Sequence, residues 1–331
     1  MGVRKVMLIG VTASGKGALG FELARKLDGE IISVDSMKVY KGMDVGTAKP
    51  SRQRRQQVRY HLVDVVEPGE SFDVGRFYAM ATEAKADIVR RDKAVIAVGG
   101  TGLYVKALLC GLFEGPGRDA EVREKLRRRA KEEGLASLHR DLAAVDVEAA
   151  ERIHPNDEKR ILRALEVYEL TGKGISQFQQ QWEGGDSVEQ SEWTVIGLRR
   201  AKDLEGRRIN ARVKRMVKQG LVEEVMRLVD ADKTERVARG EKVEEPFLGA
   251  GQEVPLSDQA RCAIGYAEII EYLGGEVSLA EAVENIKVNT RRLAKGQRTW
   301  FKRLRGVNWI DVGADETNEE VLEKAERILN I

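Results

Sequence analysis

The residues Val6-Met-Leu-Ile-Gly10-Val-Thr-Ala-Ser-Gly15-Lys16-Gly17 constrain what this chain can fold into more than any other stretch. An apolar run passes into a Gly-rich turn that ends in Gly-Lys, and a helical pattern continues through 21–27. Strand, turn and helix in that order make a phosphate-binding loop, G-x-x-x-x-G-K followed by Ser or Thr, matched everywhere but at its last position. Glycines let successive backbone N–H groups point at one phosphate, the helix N-terminus adds a positive dipole, and Lys16 supplies a point charge. Gly10, Val11, Thr12, Ala13, Ser14, Gly15, Lys16 and Gly17 are therefore read as a phosphate cradle. Gly17 stands where the pattern has the hydroxyl that reaches Mg²⁺, so no side chain is assigned to a metal.

The alternation begun there continues. Residues 30–34 are a short β-branched strand that stops at Asp35-Ser36, 60–66 read as a third strand, and 94–98 as a fully apolar fourth. The fourth ends in Gly99-Gly-Thr101-Gly-Leu-Tyr104, a second Gly-rich turn feeding a helix, and 73–91 has helical periodicity. Unbroken apolar strands between helices predict a parallel sheet covered on both faces. Ligands of such sheets bind along the edge formed by the carboxyl ends of the strands, so Lys16, Asp35 and Thr101 are expected to converge there. A carboxylate near bound phosphate would hold a metal or accept a proton from an attacking group. Asp35 could instead cap the next turn, and Thr101 could bond local backbone.

From about residue 115 the texture changes to charged helical stretches, 121–144 and 147–170, followed by a polar segment and a return to strand at 193–198. The expected fold class is α/β: a P-loop NTPase-like parallel sheet formed by 1–114 and 193–331, with an all-helical insertion at 115–192. Helices are expected over 202–230, 260–273 and 278–305, a long surface loop or partly disordered excursion over 231–259 and a last short strand near 307–310. With 331 residues, 42% hydrophobic and 33% charged, the chain has ample material for a buried core. Cys110 and Cys262 lie far apart without ligand spacing, which excludes a Cys-based zinc site and fits a reducing compartment. No signal segment is read before the first strand and no apolar run has membrane-spanning length; a cytoplasmic protein is expected.

A net charge of +2 conceals clustering. Between Arg199 and Lys218, nine cations face only Asp203 and Glu205, and 287–305 holds eight cations with no acid but with Trp300 and Phe301. The acid-free segment suits a phosphate backbone. A third run, Arg123 to Lys131, reads as a solvated helix face.

Several motifs follow one another in order: Gly10-Val-Thr-Ala-Ser-Gly-Lys16, Ile-Ser-Val-Asp35-Ser, the 40–50 loop Tyr-Lys-Gly-Met-Asp-Val-Gly-Thr-Ala-Lys-Pro, and Val-Gly-Gly-Thr101-Gly-Leu-Tyr. After them come Arg152-Ile-His-Pro-Asn-Asp, Arg163-Ala-Leu-Glu-Val, Ala263-Ile-Gly-Tyr266 and Arg291-Arg-Leu-Ala-Lys295-Gly-Gln297-Arg-Thr-Trp300. Over nearly the whole chain they resemble the tRNA dimethylallyltransferases. That resemblance implies a core like the nucleoside phosphate kinases and a helical insertion that grips the anticodon stem-loop. It also implies transfer of a dimethylallyl group from its diphosphate to N6 of the adenosine just 3′ of the anticodon, in tRNAs reading codons that start with U. Residues 10–17 would hold the diphosphate, with Lys16, Thr101 and Arg212 on the leaving group and Asp35 taking the proton from N6. Matching segments place Asp35, Ser36, Met37, Lys38, Thr101, Arg123, Lys159, Arg160, Ile161, Leu162, Arg163, Cys262, Gly265, Tyr266, Arg291, Arg292, Lys295, Gln297 and Arg298 against tRNA. Mg²⁺ is implied as cofactor, dimethylallyl diphosphate as co-substrate and tRNA as partner, with no membrane and a monomeric state.

The chain departs from that pattern at Gly17 (Ser or Thr), Val11 (Pro) and Gly296 (Arg in Ala-Lys-Arg-Gln). Mg²⁺ usually retains several waters, so loss of one ligand weakens metal binding without abolishing it. Three alternatives stay open: a P-loop small-molecule kinase, a prenyltransferase of free AMP, and a degenerate relative that binds anticodon stem-loops without modifying them.

Overall fold

The computed structural model describes residues 3–112, 115–179, 187–189, 191–241, 246–249 and 252–331. Six strands, β1 (Lys5–Gly10), β2 (Glu30–Val34), β3 (Tyr60–His61), β4 (Val95–Gly99), β5 (Thr194–Arg199) and β6 (Asn308–Asp311), form one sheet in the order β3-β2-β4-β1-β5-β6. All neighbouring strands pair in parallel. Alternate residues of each strand explain why the runs are apolar throughout. Met7, Ile9, Ile32, Val34, Val95 and Ala97 pack into one core, and Val6, Leu8, Ile31, Ile96, Ile196 and Leu198 into another on the opposite face.

The helices in chain order are α1 (Lys16–Lys26), α2 (Arg52–Gln57), α3 (Val74–Arg90), α4 (Gly102–Cys110), α5 (Ala120–Glu133), α6 (Leu135–Val145), α7 (Val147–Arg152) and α8 (Glu158–Thr171). Then follow α9 (Ile175–Gln179), α10 (Lys202–Lys218), α11 (Leu221–Val229), α12 (Ala231–Ala238), α13 (Asp258–Arg261), α14 (Tyr266–Leu273), α15 (Leu279–Phe301) and α16 (Asn318–Leu329). Phe77, Ala81 and Ile88 of α3 cover one face of the sheet. Leu19 and Leu23 of α1 with Val321 and Ala325 of α16 cover the other.

The chain divides into two compact units, Met1–Leu109 with Ser187–Ile331, and Cys110–Asp186. The second unit is helical, and its core is Leu126, Leu138, Leu142, Ile161 and Leu165. Each long helical stretch expected there is cut in two. Gly134, at φ 82°, separates α5 from α6. The segment at His154-Pro155 separates α7 from α8, as expected where proline excludes helix from the preceding residue. Part of the expected polar segment, 180–186 and 190, lies outside the described residues, as do 113–114 at the expected boundary.

Three expectations need correction. The third strand does not reach residue 66: Leu62 and Asp64 take left-handed backbone, at φ 59° and 58°, which ends the pairing with β2 after His61 and leaves Val66 an isolated bridge to Tyr40. The 231–259 segment is not one loop. It opens with α12, capped by Asp230, and later buries Phe247 and Leu248; 242–245 and 250–251 lie outside the described residues. Finally, α16 was not anticipated, although Thr317 and Glu320 form a capping box at its start.

Candidate active site

Strand register brings the functional turns together. Ile9 of β1 and Val34 of β2 both pair with Gly99 of β4. The chain therefore leaves three adjacent strands at one level, into Gly10–Gly17, Asp35–Lys38 and Gly100–Thr101. These turns, the 44–55 segment, one side of α10 and the C-terminal half of α15 line a cavity of 1340 Å³.

The loop is held by backbone geometry and by distant side chains. Gly10 sits at φ 150°, where a Cβ would lie 2.7 Å from the Leu198 carbonyl oxygen, and Gly15 at φ 108° caps α1; both positions require glycine. The Lys16 ammonium donates to the Val11 carbonyl at 3.0 Å. From α10 and its preceding turn, Arg208 donates to the Ala13 carbonyl and Arg200 to that of Ser14. Gln297 of α15 accepts from the Thr12 amide at 2.8 Å and donates to the Gly100 carbonyl at 2.9 Å, tying the phosphate loop to the turn that carries Thr101. The buried Ser14 hydroxyl has no partner among the described residues, an orphan that a phosphate oxygen would satisfy.

Asp35, Thr101 and Arg212 stand around this loop. Asp35 Oδ1 accepts from the amides of Met37 (3.0 Å) and Lys38 (3.3 Å), so the carboxylate does shape its turn. Its second oxygen carries no hydrogen bond among the described residues and the residue lines the cavity. The Thr101 hydroxyl accepts from the Ser36 amide at 3.2 Å, which joins the β2 and β4 turns and leaves its own proton for another acceptor. Arg212 donates to the Thr12 hydroxyl and the Thr47 carbonyl.

The electrostatics are those of an anion site. Burial, then the nearby charges of Lys38 and Arg212, bring the Lys16 ammonium down to about 7, against the opposite pull of Asp35. Burial likewise lowers Lys38 and Arg212, with Asp35 opposing in both cases. Gly17 is exposed, and a Cβ built on it would meet nothing within 4 Å. Among the described residues no group of three or more His, Cys, Asp or Glu could hold a metal ion. Position 17 offers no side-chain oxygen, so the loop does not fit Mg²⁺ in the way its pattern requires.

Other expected tRNA contacts resolve differently. Ile161 and Leu162 are buried in the helical unit's own core and cannot present side chains to RNA. Arg123 and Arg163 close on Glu166, which is fully buried. Burial alone would raise that carboxyl, but hydrogen bonds from Arg123, Arg163 and the Asp119 amide outweigh it and hold it at about 2. The Arg123 run is thus not simply a solvated face. Lys159 and Arg160 are exposed, the latter beside Asp157.

Tyr266 is buried, and its hydroxyl donates to Glu224 at 2.6 Å. The same buried carboxylate accepts from the amides of Asp44, Val45 and Gly46, and Gly46 lies so close to the Tyr266 ring that any Cβ would collide with it. Glu224, missed by sequence reasoning, thus anchors the 40–50 loop that walls the cavity. Gly265 caps α14 at φ 97°, and Cys262 is exposed. On α15, Arg292 and Lys295 are exposed, Arg291 bonds Asn210 and Glu284, and Arg298 pairs with the buried Glu205. The segment without acids therefore meets acids from outside it, Glu284 earlier on the same helix and Glu205 of α10. Phe301 belongs to the core, while Trp300 packs on Gly102 and lines the cavity. No described helix is long and apolar enough to cross a membrane.

A family model described as IPP transferase matches residues 38–304. A tRNA dimethylallyltransferase from Geobacter metallireducens is 47% identical over 308 residues, covering 93% of this chain and 92% of its own. The full-length tRNA isopentenylpyrophosphate transferase of Bacillus halodurans superposes with a TM-score of 0.65 at 35% identity, over 99% of this chain and 96% of that one. A eukaryotic dimethylallyltransferase acting on tRNA superposes with a TM-score of 0.75 at 26% identity, over 99% and 79%. With the phosphate loop, the sheet edge and these matches together, the chain belongs to the IPP transferase family.

Proposed function

We propose that this chain transfers a dimethylallyl group from dimethylallyl diphosphate to N6 of the adenosine just 3′ of the anticodon, in tRNAs reading codons that start with U. The products are the N6-dimethylallyl nucleoside and diphosphate. One observation carries the reading: Lys16, Asp35, Thr101 and Arg212 line a single cavity at the carboxyl edge of the sheet. The donor's diphosphate lies along 12–17, where backbone amides, Lys16 and Arg212 stabilise the charge that grows as the allylic carbon–oxygen bond breaks. The new bond forms between that carbon and N6, and the N6 proton passes to the free oxygen of Asp35. The Thr101 hydroxyl donates a hydrogen bond to the leaving group. The acceptor base has to leave its stack to reach the donor, entering past Ser36, Met37 and Lys38. Exposed Lys159, Arg160, Arg292 and Lys295 supply contacts to the tRNA backbone. The protein works as a monomer in the cytoplasm, where its tRNA is found.

No step here runs through Mg²⁺, because position 17 offers no oxygen to hold it. The kinase alternative needs that hydroxyl and finds no counterpart for it. The test is transfer of label from dimethylallyl diphosphate to an anticodon stem-loop carrying adenosine at that position. Labelled RNA establishes the activity, binding without label identifies a non-catalytic tRNA binder, and phosphate transfer from ATP to a nucleoside monophosphate identifies a kinase.

A further inference from the structure

We propose, resting on the diphosphate-binding reading above, that this site holds its diphosphate with protein cations and backbone amides in place of Mg²⁺, so that diphosphate binds no more weakly without the metal than with it. In a loop of this pattern the hydroxyl at position 17 is the side chain that reaches the metal. Gly17 provides no oxygen, and the space a side chain would occupy is open, with nothing beyond its chain neighbours and its own helix backbone within 4 Å of a built Cβ. No other protein oxygen has taken that place. Of the two carboxylates that line the cavity, Asp44 pairs with Lys49, and Asp35 has Oδ1 on the amides of Met37 and Lys38, which leaves its other oxygen for the acceptor's proton.

The cations are arranged in the opposite way. Lys16, Lys38, Arg208, Arg212 and Arg215 line the same cavity. None of the five lies within ion-pair distance of a carboxylate among the described residues. The hydrogen bonds of Lys16, Arg208 and Arg212 go to backbone carbonyls and to the Thr12 hydroxyl. A metal-free diphosphate would offset these charges directly. One that arrives already carrying Mg²⁺ brings less negative charge, and its metal faces these cations without the position-17 hydroxyl in return.

The experiment is calorimetric titration of the full chain with inorganic pyrophosphate, once in EDTA and once in excess Mg²⁺, with dissociation constants referred to total pyrophosphate. The wild-type protein is expected to bind at least as tightly in EDTA. Gly17→Ser, which restores the oxygen, is expected to bind about fivefold tighter with Mg²⁺ than without. Gly17→Ala, which adds a Cβ without oxygen, is expected to keep the wild-type order. Wild-type binding that tightens about threefold or more on adding Mg²⁺ overturns the proposal and leaves the diphosphate-binding reading standing. A Gly17→Ser protein with the wild-type order overturns the assignment to position 17. Absence of binding in both buffers overturns the proposal and the diphosphate-binding reading together.

Discussion

In the helical unit Arg123 and Arg163 close on the buried carboxylate of Glu166, and Arg129 pairs with Glu133 and Asp141. Around the phosphate loop, Lys16, Lys38 and Arg212 crowd one another, and Asp35 is the carboxylate that offsets them. The residue types are alike, but their partners differ. A cation whose partner the fold supplies is part of the structure. A buried cation whose neighbours are other cations is held in a state that an incoming anion relieves. Residue type along the chain says nothing about which is which.

The contrast can be broken most directly at Asp35. Asparagine keeps an oxygen for the Met37 and Lys38 amides but cannot take a proton, so Asp35→Asn should slow transfer by about 10³-fold. Its affinity for the stem-loop should stay within about twofold of the wild type. A near-normal rate measured by label transfer would reduce Asp35 to a turn cap.

On the structural side, Glu166→Gln leaves two guanidiniums facing a neutral amide and should cost about 3 kcal/mol. Hydrogen exchange over 119–169 would register it, and unchanged protection would sink the structural assignment. The Glu166 carboxyl lies lower in the folded chain than in the unfolded one, at about 2 against 4.5. Its stabilisation is therefore complete above the ordinary glutamate range and is lost as the pH falls toward 2.

Lys16 sharpens the other half of the comparison. An anion favours the charged ammonium, whose value in the free protein is about 7. Above that pH, binding must first take up a proton, so pyrophosphate affinity in EDTA should fall by up to about tenfold per pH unit. Lys16→Arg should flatten this slope, and the ionisation of pyrophosphate itself cancels between the two proteins. An identical slope in both would show that Lys16 does not titrate at the site. The smallest effect is expected at Arg129, whose ion pairs are partly exposed: Arg129→Ala should change unfolding free energy by less than about 1 kcal/mol in a denaturant titration.

How much of this was legible depended on how local each cause is. The phosphate loop could be read because its strand, turn and helix are contiguous and its glycines answer to backbone angles within eight residues. The resemblance motifs marked positions without disclosing what each side chain does there. Arg163-Ala-Leu-Glu-Val contains a guanidinium that bonds its own helix's glutamate, and Ala-Ile-Gly-Tyr266 contains a tyrosine turned inward onto Gly46 and Glu224. Ile161 and Leu162 follow Lys159 and Arg160 directly, yet a helix turns about 100° per residue and takes them into the core. The third strand failed for a local reason, left-handed backbone at Leu62 and Asp64, that β-branched composition did not announce.

By itself the sequence determined the parallel α/β core, the phosphate cradle, the family and the open position at Gly17, because each depends on residue order or on the presence of an atom. Only the tertiary structure decided which charges are spent on the fold and which remain for a ligand. Gln297 reaches across 285 positions to bond Thr12, Glu224 across 180 to hold Asp44, and Arg298 across 93 to pair with Glu205. Electrostatics and burial act over ångströms, and chain separation does not encode which groups will stand that close.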